Sequence, residues 1–237
     1  MARKSSIEWT EATWNPWHGC IKVSPGCKHC YMYRGKTRYG QNPSSVQRSK
    51  TTFEDPVKWK EPKLIFACSW SDWFIEEADA WRDEAWEIVR STPRHSYQIL
   101  TKRPERIAQN LPSDWGDGWQ NVWLGVSIET QPYVVRRDLL LQVPAKVRFL
   151  SVEPLLGPID LGSLSGIDWV ITGGESGPSP RPMNRQWAIS VRDQCLRAGV
   201  AYFHKQNGGR AKINGAWGGR TLDGKTWNTL PVAAIGS

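Results

Sequence analysis

The sequence predicts an α/β fold: a partial (β/α) barrel of about six or seven parallel strands, followed by a small C-terminal hairpin. Short runs of apolar and β-branched residues recur along the chain, and segments with helical spacing separate several of them. Apolar residues fill the middle of most runs, which is typical of a strand buried on both faces of a parallel sheet. The length of 237 residues allows one large domain or two small ones.

The strand predictions follow these apolar runs in order, and every run ends in polar or charged residues. Six runs and one further candidate at the front of the chain fit the pattern. They cover residues 63–69, 96–101, 121–127, 146–151, 168–172 and 200–204, with residues 13–19 as the further candidate.

Helices are predicted between the strands. Residues 78–88 and 132–141 carry apolar side chains at helical spacing. The clearest helix covers residues 184–198, because Asn184 is a favourable N-cap and Gly199 is a favourable C-terminal stop.

The composition changes after Gln206, where the chain becomes rich in glycine. Residues 222–225 read Leu-Asp-Gly-Lys, and the Asp-Gly pair is typical of a β-hairpin turn. We therefore expect a barrel domain over residues 1–206 and a hairpin extension over residues 207–237.

The composition excludes several classes of protein. Hydrophobic residues make up 39% of the chain and charged residues 23%, which is typical of a globular protein and not of a disordered or fibrous one. No apolar run approaches the roughly 20 residues of a membrane helix, and none follows the basic N-terminus as in a secretory signal. We expect a cytoplasmic protein with no membrane partner, in the host cytoplasm if the chain is encoded by a phage.

The formal net charge of +8 favours contact with a polyanion such as nucleic acid or a nucleotide. Charge dispersed over an ordinary basic protein is the alternative. The 15 tryptophans are expected mostly in the core, and an exposed one could stack on a base.

The polar residues that follow the predicted strands are candidates for a functional site. The carboxyl ends of parallel strands meet at one edge of the sheet, where functional groups collect. Some of these residues would instead cap helices or form turns. The candidates are Ser69, Ser71, Asp72, Thr101, Lys102, Arg103, Ser127, Glu129, Ser151, Glu153, Gly173, Gly174, Glu175, His204, Lys205 and Gln206.

Three of the five cysteines lie in one segment after the first predicted strand. Cys20, Cys27 and Cys30 have the spacing C-x6-C-x2-C, and the pair at 25–26, Pro-Gly, predicts a turn between them. Three thiolates can hold three irons of a [4Fe-4S] cluster and leave the fourth iron open to a substrate or cofactor.

A zinc site is the alternative, with His18 or His29 as a fourth ligand to the three cysteines. Three unliganded cysteines are a further possibility, although clustered exposed thiols are prone to oxidation. Cys68 lies in an apolar run and Cys195 on the apolar side of a predicted helix, so both are expected in the core.

The chain resembles a phage-associated three-cysteine-motif family of unknown function, and through its cysteines it resembles the radical S-adenosylmethionine superfamily. The superfamily usually has the motif CxxxCxxC. This chain has six residues between its first two cysteines, so it resembles a variant of that motif. Segments that carry the family resemblance cover nearly the whole chain. They include residues 13–16 (TWNP), 68–72 (CSWSD), 100–104 (LTKRP), 122–127 (VWLGVS), 148–156 (RFLSVEPLL) and 173–178 (GGESGP), together with the cysteine segment.

The resemblance implies that Cys20, Cys27 and Cys30 bind a [4Fe-4S] cluster whose open iron takes S-adenosylmethionine. An external electron donor would reduce the cluster, and cleavage of S-adenosylmethionine would give a 5′-deoxyadenosyl radical that abstracts hydrogen from a substrate. The glycine-rich segment of the superfamily follows its second strand, whereas Gly173 and Gly174 come much later, so the two segments are not equated.

Two groups of strand-end residues are assigned to this chemistry. Residues on the substrate side are expected to be Lys102, Arg103, Glu153 and Lys205, and their basic groups favour nucleic acid or a nucleotide as substrate. Residues expected to contact the cofactor are Ser69, Ser71, Asp72, Ser127, Glu129, Gly173, Gly174 and Glu175.

A second hypothesis is a binding module without catalysis. In it, zinc stabilises a basic protein that contacts nucleic acid through exposed tryptophan, lysine and arginine side chains.

Overall fold

The computed structural model describes residues 5–231, and this part of the chain contains eleven strands and five α-helices. The predicted domain limits at residues 1 and 237 lie outside the described residues. The strands are β1 (Ala12–Trp14), β2 (Trp17–His18), β3 (Gln47–Arg48), β4 (Leu64–Ala67), β5 (Ser96–Thr101), β6 (Val122–Ser127), β7 (Val147–Val152), β8 (Trp169–Gly173), β9 (Ala201–Gln206), β10 (Lys212–Ile213) and β11 (Ala216–Trp217).

The α-helices are connected to the strands by short 3-10 turns and loops. None of the helices in residues 5–231 is both long enough and apolar enough to cross a bilayer. The helices are α1 (Tyr31–Arg38), α2 (Asp55–Lys58), α3 (Asp79–Ser91), α4 (Val135–Leu141) and α5 (Arg185–Ala198); the 3-10 turns are Pro25–Cys27, Glu76–Ala78, Pro104–Arg106, Ala108–Asn110 and Gln131–Val134.

Seven strands form one parallel sheet in the order β1-β4-β5-β6-β7-β8-β9. Each strand pairs with the next sheet strand along the chain, as in successive units of a (β/α) barrel. The predicted fold class is confirmed, and every predicted run overlaps one of these strands.

The described residues fall into two compact units. The first contains the chain up to Val23, Cys30–Gly125 and Gln142–Lys146. The second contains Ser24–His29, Val126–Leu141 and the chain from Val147 onward. The glycine-rich segment after Gln206 thus belongs to the second unit, and the predicted domain boundary at this residue stays a prediction.

Tryptophans dominate the core of the first unit. The rings of Trp17 and Trp73 lie 5.2 Å apart, those of Trp73 and Trp86 4.9 Å apart, and those of Trp86 and Trp115 5.6 Å apart. All four side chains are buried, whereas Trp70 at the end of β4 is 37% exposed. Buried indoles contribute large apolar areas, and here they pack together with buried aliphatic side chains such as Ile65, Ile88 and Ile99.

The core of the second unit lies between β7, β8, β9 and α5. Trp169 packs on Phe149 and Phe203, with ring centroids 5.8 and 6.1 Å apart. Its indole N–H donates a hydrogen bond to the carbonyl oxygen of Thr229, so the chain after β9 closes over this ring.

Helix α5 has the termini that the sequence predicts. The Asn184 side chain accepts a hydrogen bond from the Gln186 N–H at 2.9 Å. Gly199 has a φ of +68°, the left-handed conformation that ends helices.

The glycine-rich segment contains two tight turns. Leu222 and Lys225 exchange backbone hydrogen bonds around Asp223 and Gly224, as the Asp-Gly pair predicts. The β10–β11 hairpin lies earlier, where Asn214 and Gly215 both have positive φ, as a type I′ turn requires.

Replacing Asn184 with alanine tests the helix cap. We expect Asn184→Ala to lower the free energy of unfolding by about 1 kcal/mol, because the Gln186 N–H loses its acceptor. Asn184→Ser is the control, since serine keeps an accepting oxygen. Equal urea midpoints for Asn184→Ala and Asn184→Ser would contradict this role.

Candidate site around the cysteine loop

Residues 19–30 form the cysteine loop, which connects β2 to α1. Cys20 and Cys30 are half-buried, Cys27 is 9% exposed, and none of them is in a disulfide. Cys27 ends the turn Pro25–Cys27, and Cys30 is the N-cap residue of α1. Within residues 5–231, no three His, Cys, Asp or Glu residues are grouped so that they could hold a metal ion.

Asp72 organises the strand ends of the first unit. Its Oδ1 accepts hydrogen bonds from the Thr101 hydroxyl at 2.6 Å and the Phe74 N–H at 3.0 Å. Its Oδ2 accepts the Lys102 N–H at 2.9 Å and lies 3.2 Å from the Arg103 guanidinium. The side chain is buried, so these donors replace its hydration and join the end of β4 to the end of β5.

Arg103 extends this network to the cysteine loop. Its guanidinium donates to the carbonyl oxygen of Ile21 at 2.8 Å and also hydrogen-bonds the Cys20 side chain. Burial alone would lower the pKa of Arg103, but Asp72 and Cys20 outweigh burial and raise it.

Hydroxyl groups hold the first part of the loop. Ser71 donates to the carbonyl oxygen of Gly19 at 2.5 Å, and Tyr33 donates to that of Cys20 at 2.5 Å. Ser69 interacts with the Asn15 side chain, whose oxygen also accepts the Trp70 N–H at 2.7 Å. The predicted cofactor contacts Ser69 and Ser71 therefore use their hydroxyls within the protein.

In the second unit, Glu129 holds the middle of the loop. Its carboxylate is fully buried and accepts hydrogen bonds from Ser24 at 2.7 Å and Arg136 at 3.0 Å. Arg136 also donates to the carbonyl oxygen of Ser127 at 2.8 Å. Gly26 lies so close that a Cβ at this position would be 2.4 Å from the Cγ of Glu129, which leaves no room for a side chain.

Glu175 and its partner Arg181 contact the cysteine loop at His29 and Pro25. Glu175 accepts hydrogen bonds from Arg181, and its Oε2 lies 3.0 Å from the Nδ1 of His29. Arg181 also donates to the carbonyl oxygen of Pro25 at 3.0 Å. Burial alone would raise the pKa of Glu175, but the hydrogen bonds from Arg181 outweigh burial and lower it, so the carboxylate stays ionised.

The glycines before Glu175 are required for backbone packing. A Cβ on Gly174 would lie 2.2 Å from the carbonyl oxygen of Asn207, and one on Gly173 would lie 3.0 Å from the Glu153 carboxyl group. Glu153 is itself paired with Lys205 at 2.7 Å, and both side chains are about one-fifth exposed. This ion pair is the most accessible of the predicted groups in the second unit.

His204 is a core residue of the second unit. Its ring nitrogens contact Thr172 at 2.9 Å and Asn207 at 3.2 Å, and the residue is fully buried. Burial lowers its pKa to about 4, so the imidazole is neutral at pH 7.

The cysteines outside the loop behave as the sequence predicts for core residues. Both are buried. Burial raises the pKa of Cys195 to about 12 and, together with Asp72 and Cys20, raises the pKa of Cys68. Both thiols therefore stay protonated and poorly reactive at neutral pH.

The predicted residues thus form two networks. Asp72, Lys102 and Arg103 meet in the first unit, and predicted residues of the second unit pair with the loop segment Ser24–His29 or with each other. The sequence analysis missed residues that complete these networks. They are Asn15, Ser24, Tyr33, Arg136 and Arg181. Asn15 follows β1 at its carboxyl end, so the strand-end rule could have found it.

A family model described as a protein of unknown function (DUF5131) matches residues 4–231. No curated protein and no solved structure matches the chain.

Replacing Asp72 with asparagine tests the first network. We expect Asp72→Asn to lower the free energy of unfolding by about 3 kcal/mol or more, because the buried Arg103 loses its counter-charge and the Lys102 N–H loses a carboxylate acceptor. Asp83→Asn changes an exposed aspartate of α3 and should stay within about 0.5 kcal/mol of the wild type in urea unfolding. A stable Asp72→Asn protein would show that the network is dispensable.

His204 predicts a pH dependence of stability. Its pKa is lower in the folded protein than the ordinary value of 6.5, so the unfolded chain binds the extra proton. Below pH 6.5 the contribution of His204 to the free energy of unfolding falls, and about 3 kcal/mol is lost by pH 4. We expect His204→Gln to lose less free energy of unfolding than the wild type between pH 7 and pH 4. Parallel wild-type and variant curves, from urea unfolding across this range, would refute the assignment.

Proposed function

The chain belongs to the DUF5131 family, and we propose that this member is a radical S-adenosylmethionine enzyme. In this proposal a [4Fe-4S] cluster generates a 5′-deoxyadenosyl radical, and the substrate is nucleic acid or a nucleotide. The observation that carries the proposal is the C-x6-C-x2-C segment, which follows the first strand of a sequentially ordered parallel sheet. The phage association of the family and its relation to the superfamily belong to the same proposal.

The donor chemistry of the loop suits such a cluster. None of Cys20, Cys27 and Cys30 is in a disulfide, and three thiolates are the ligands that a site-differentiated [4Fe-4S] cluster requires. When bound, the reduced cluster supplies the electron that cleaves S-adenosylmethionine, and an external donor must replace that electron. The proposed location is the cytoplasm, whose reducing conditions keep such thiols free.

The surrounding residues support the loop more than they offer free groups to a ligand. Arg103 and Ser71 bind backbone carbonyls of the loop, and Glu129 binds Ser24. We assign these three residues to positioning the cysteines.

On the substrate side, the proposal assigns contact with anionic groups to Lys102 and Lys205. Lys102 is half-buried beside Asp72, and Lys205 is held by Glu153 with about a fifth of its side chain exposed. A phosphate group could take the place of Glu153 as the partner of the Lys205 ammonium, since both are anionic acceptors.

Metal and sulfide analysis of protein purified without oxygen tests the proposal. We expect brown protein that contains iron and acid-labile sulfide and that cleaves S-adenosylmethionine to 5′-deoxyadenosine after reduction. Changing Cys20, Cys27 and Cys30 together to alanine should abolish both properties. Cys195→Ala is the matched control, since it removes a buried thiol outside the loop, and it should keep the cluster.

Two outcomes would overturn the proposal. Colourless protein that holds one zinc ion through the three cysteines, and that forms no cluster on reconstitution, would favour the zinc-stabilised binding module. A cluster that survives the triple substitution would show that other residues bind it.

A further inference from the structure

The positive charge of the protein is concentrated around the cysteine loop. Residues 12–53 contain seven of the 31 basic residues and none of the 23 acidic ones. This segment accounts for seven of the eight net charges, and the rest of the chain is nearly neutral. Part of this charge is not open to a ligand, because Arg48 pairs with Glu84 and Lys36 is buried. Lys22, Lys28 and Arg38 are exposed, and clustered exposed cations favour an anionic partner.

Exposed large hydrophobic side chains collect in the same region. Nine such residues are found among residues 5–231, and five of them lie in the cysteine loop, on or beside α1, or at the end of β4. The five are Ile21, Val23, Tyr31, Tyr39 and Trp70. Three are aromatic, and Tyr39 is 75% exposed.

Basic and aromatic side chains are interleaved along one side of α1. Tyr31, Arg34 and Arg38 have the i, i+3, i+7 spacing that aligns side chains along a helix. The opposite side carries the buried residues Met32 and Lys36. The outward side therefore presents rings and cations together.

Trp70 and Lys22 belong to this surface. The Trp70 ring packs on α1 at Gly35, where a Cβ would lie 3.2 Å from the ring edge. The Lys22 ammonium lies 4.5 Å from the centroid of the Tyr33 ring. We call Lys22, Tyr31, Arg34, Arg38, Tyr39 and Trp70 the basic–aromatic face, all within the first unit.

We infer that the basic–aromatic face binds single-stranded nucleic acid. Cations track the phosphate backbone, and exposed rings stack on unpaired bases, which a duplex keeps inside its own stack. An acidic polypeptide would match the charge but would leave the aromatic rings without planar partners. The inference deepens the proposed function and rests on it for the claim that the bound strand is the substrate; binding itself needs no cluster.

Fluorescence anisotropy with a labelled single strand of roughly 20 nucleotides tests this inference, since that length exceeds the site size of most compact modules. The face variant combines Lys22→Gln, Arg34→Gln and Arg38→Gln. The matched control combines Lys60→Gln, Arg197→Gln and Arg210→Gln, which are exposed cations outside residues 12–53. The logarithm of the association constant decreases with the logarithm of the salt concentration. We expect the magnitude of this slope to be smaller by about 2 in the face variant and unchanged in the control.

A second pair of variants separates stacking from charge and keeps all cations in place. Tyr39→Leu should weaken binding about fivefold or more, because leucine has similar bulk but no π-face, and Tyr39→Phe should bind like the wild type.

Several results would overturn the inference. One is that no single strand binds at low salt, and another is that a duplex or heparin binds as tightly as the single strand. The others are equal losses of affinity in the face and control variants, and no change of affinity in Tyr39→Leu. Single-strand binding by protein that holds no cluster would contradict the proposed enzyme but leave this inference standing. A functional cluster in protein that binds no single strand would overturn this inference and leave the proposed enzyme standing.

Discussion

Buried carboxylates at the strand ends constrain the rest of this structure. Asp72, Glu129 and Glu175 are buried, so each needs several donors to replace water. Arginines provide much of that compensation, and two of them, Arg103 and Arg181, also donate to backbone carbonyls of the cysteine loop. Two of the arginines that neutralise these carboxylates therefore also fix the loop.

The strands and α5 could be predicted because local sequence determines them. Runs such as residues 122–126 (Val-Trp-Leu-Gly-Val) are apolar throughout, and Asn184 and Gly199 mark both ends of α5. Helix α1 gave no comparable signal, since its sequence, Tyr-Met-Tyr-Arg-Gly-Lys-Thr-Arg, is mostly polar and contains a glycine. It buries little more than Met32 and Lys36, so its formation depends on packing that a hydrophobic pattern does not record.

For the candidate site, the sequence indicated which residues lie near the strand ends but not what each side chain contacts. The strand-end rule selected Asp72, Glu129 and Glu175, but it could not show that each carboxylate already has a protein partner. Arg136 and Arg181 follow their partners by only seven and six residues, yet they lie on segments with no motif. Gly174 was predicted as a cofactor contact, and in the structure its lack of a Cβ makes room for the backbone at Asn207.

The indole ladder in the first unit has an optical consequence. Transition dipoles held at ring separations near 5 Å couple to one another, so the excited state is shared among Trp17, Trp73, Trp86 and Trp115. Their arrangement is chiral and fixed by packing. The near-ultraviolet circular dichroism of the protein therefore reports on the order of this core without an added label.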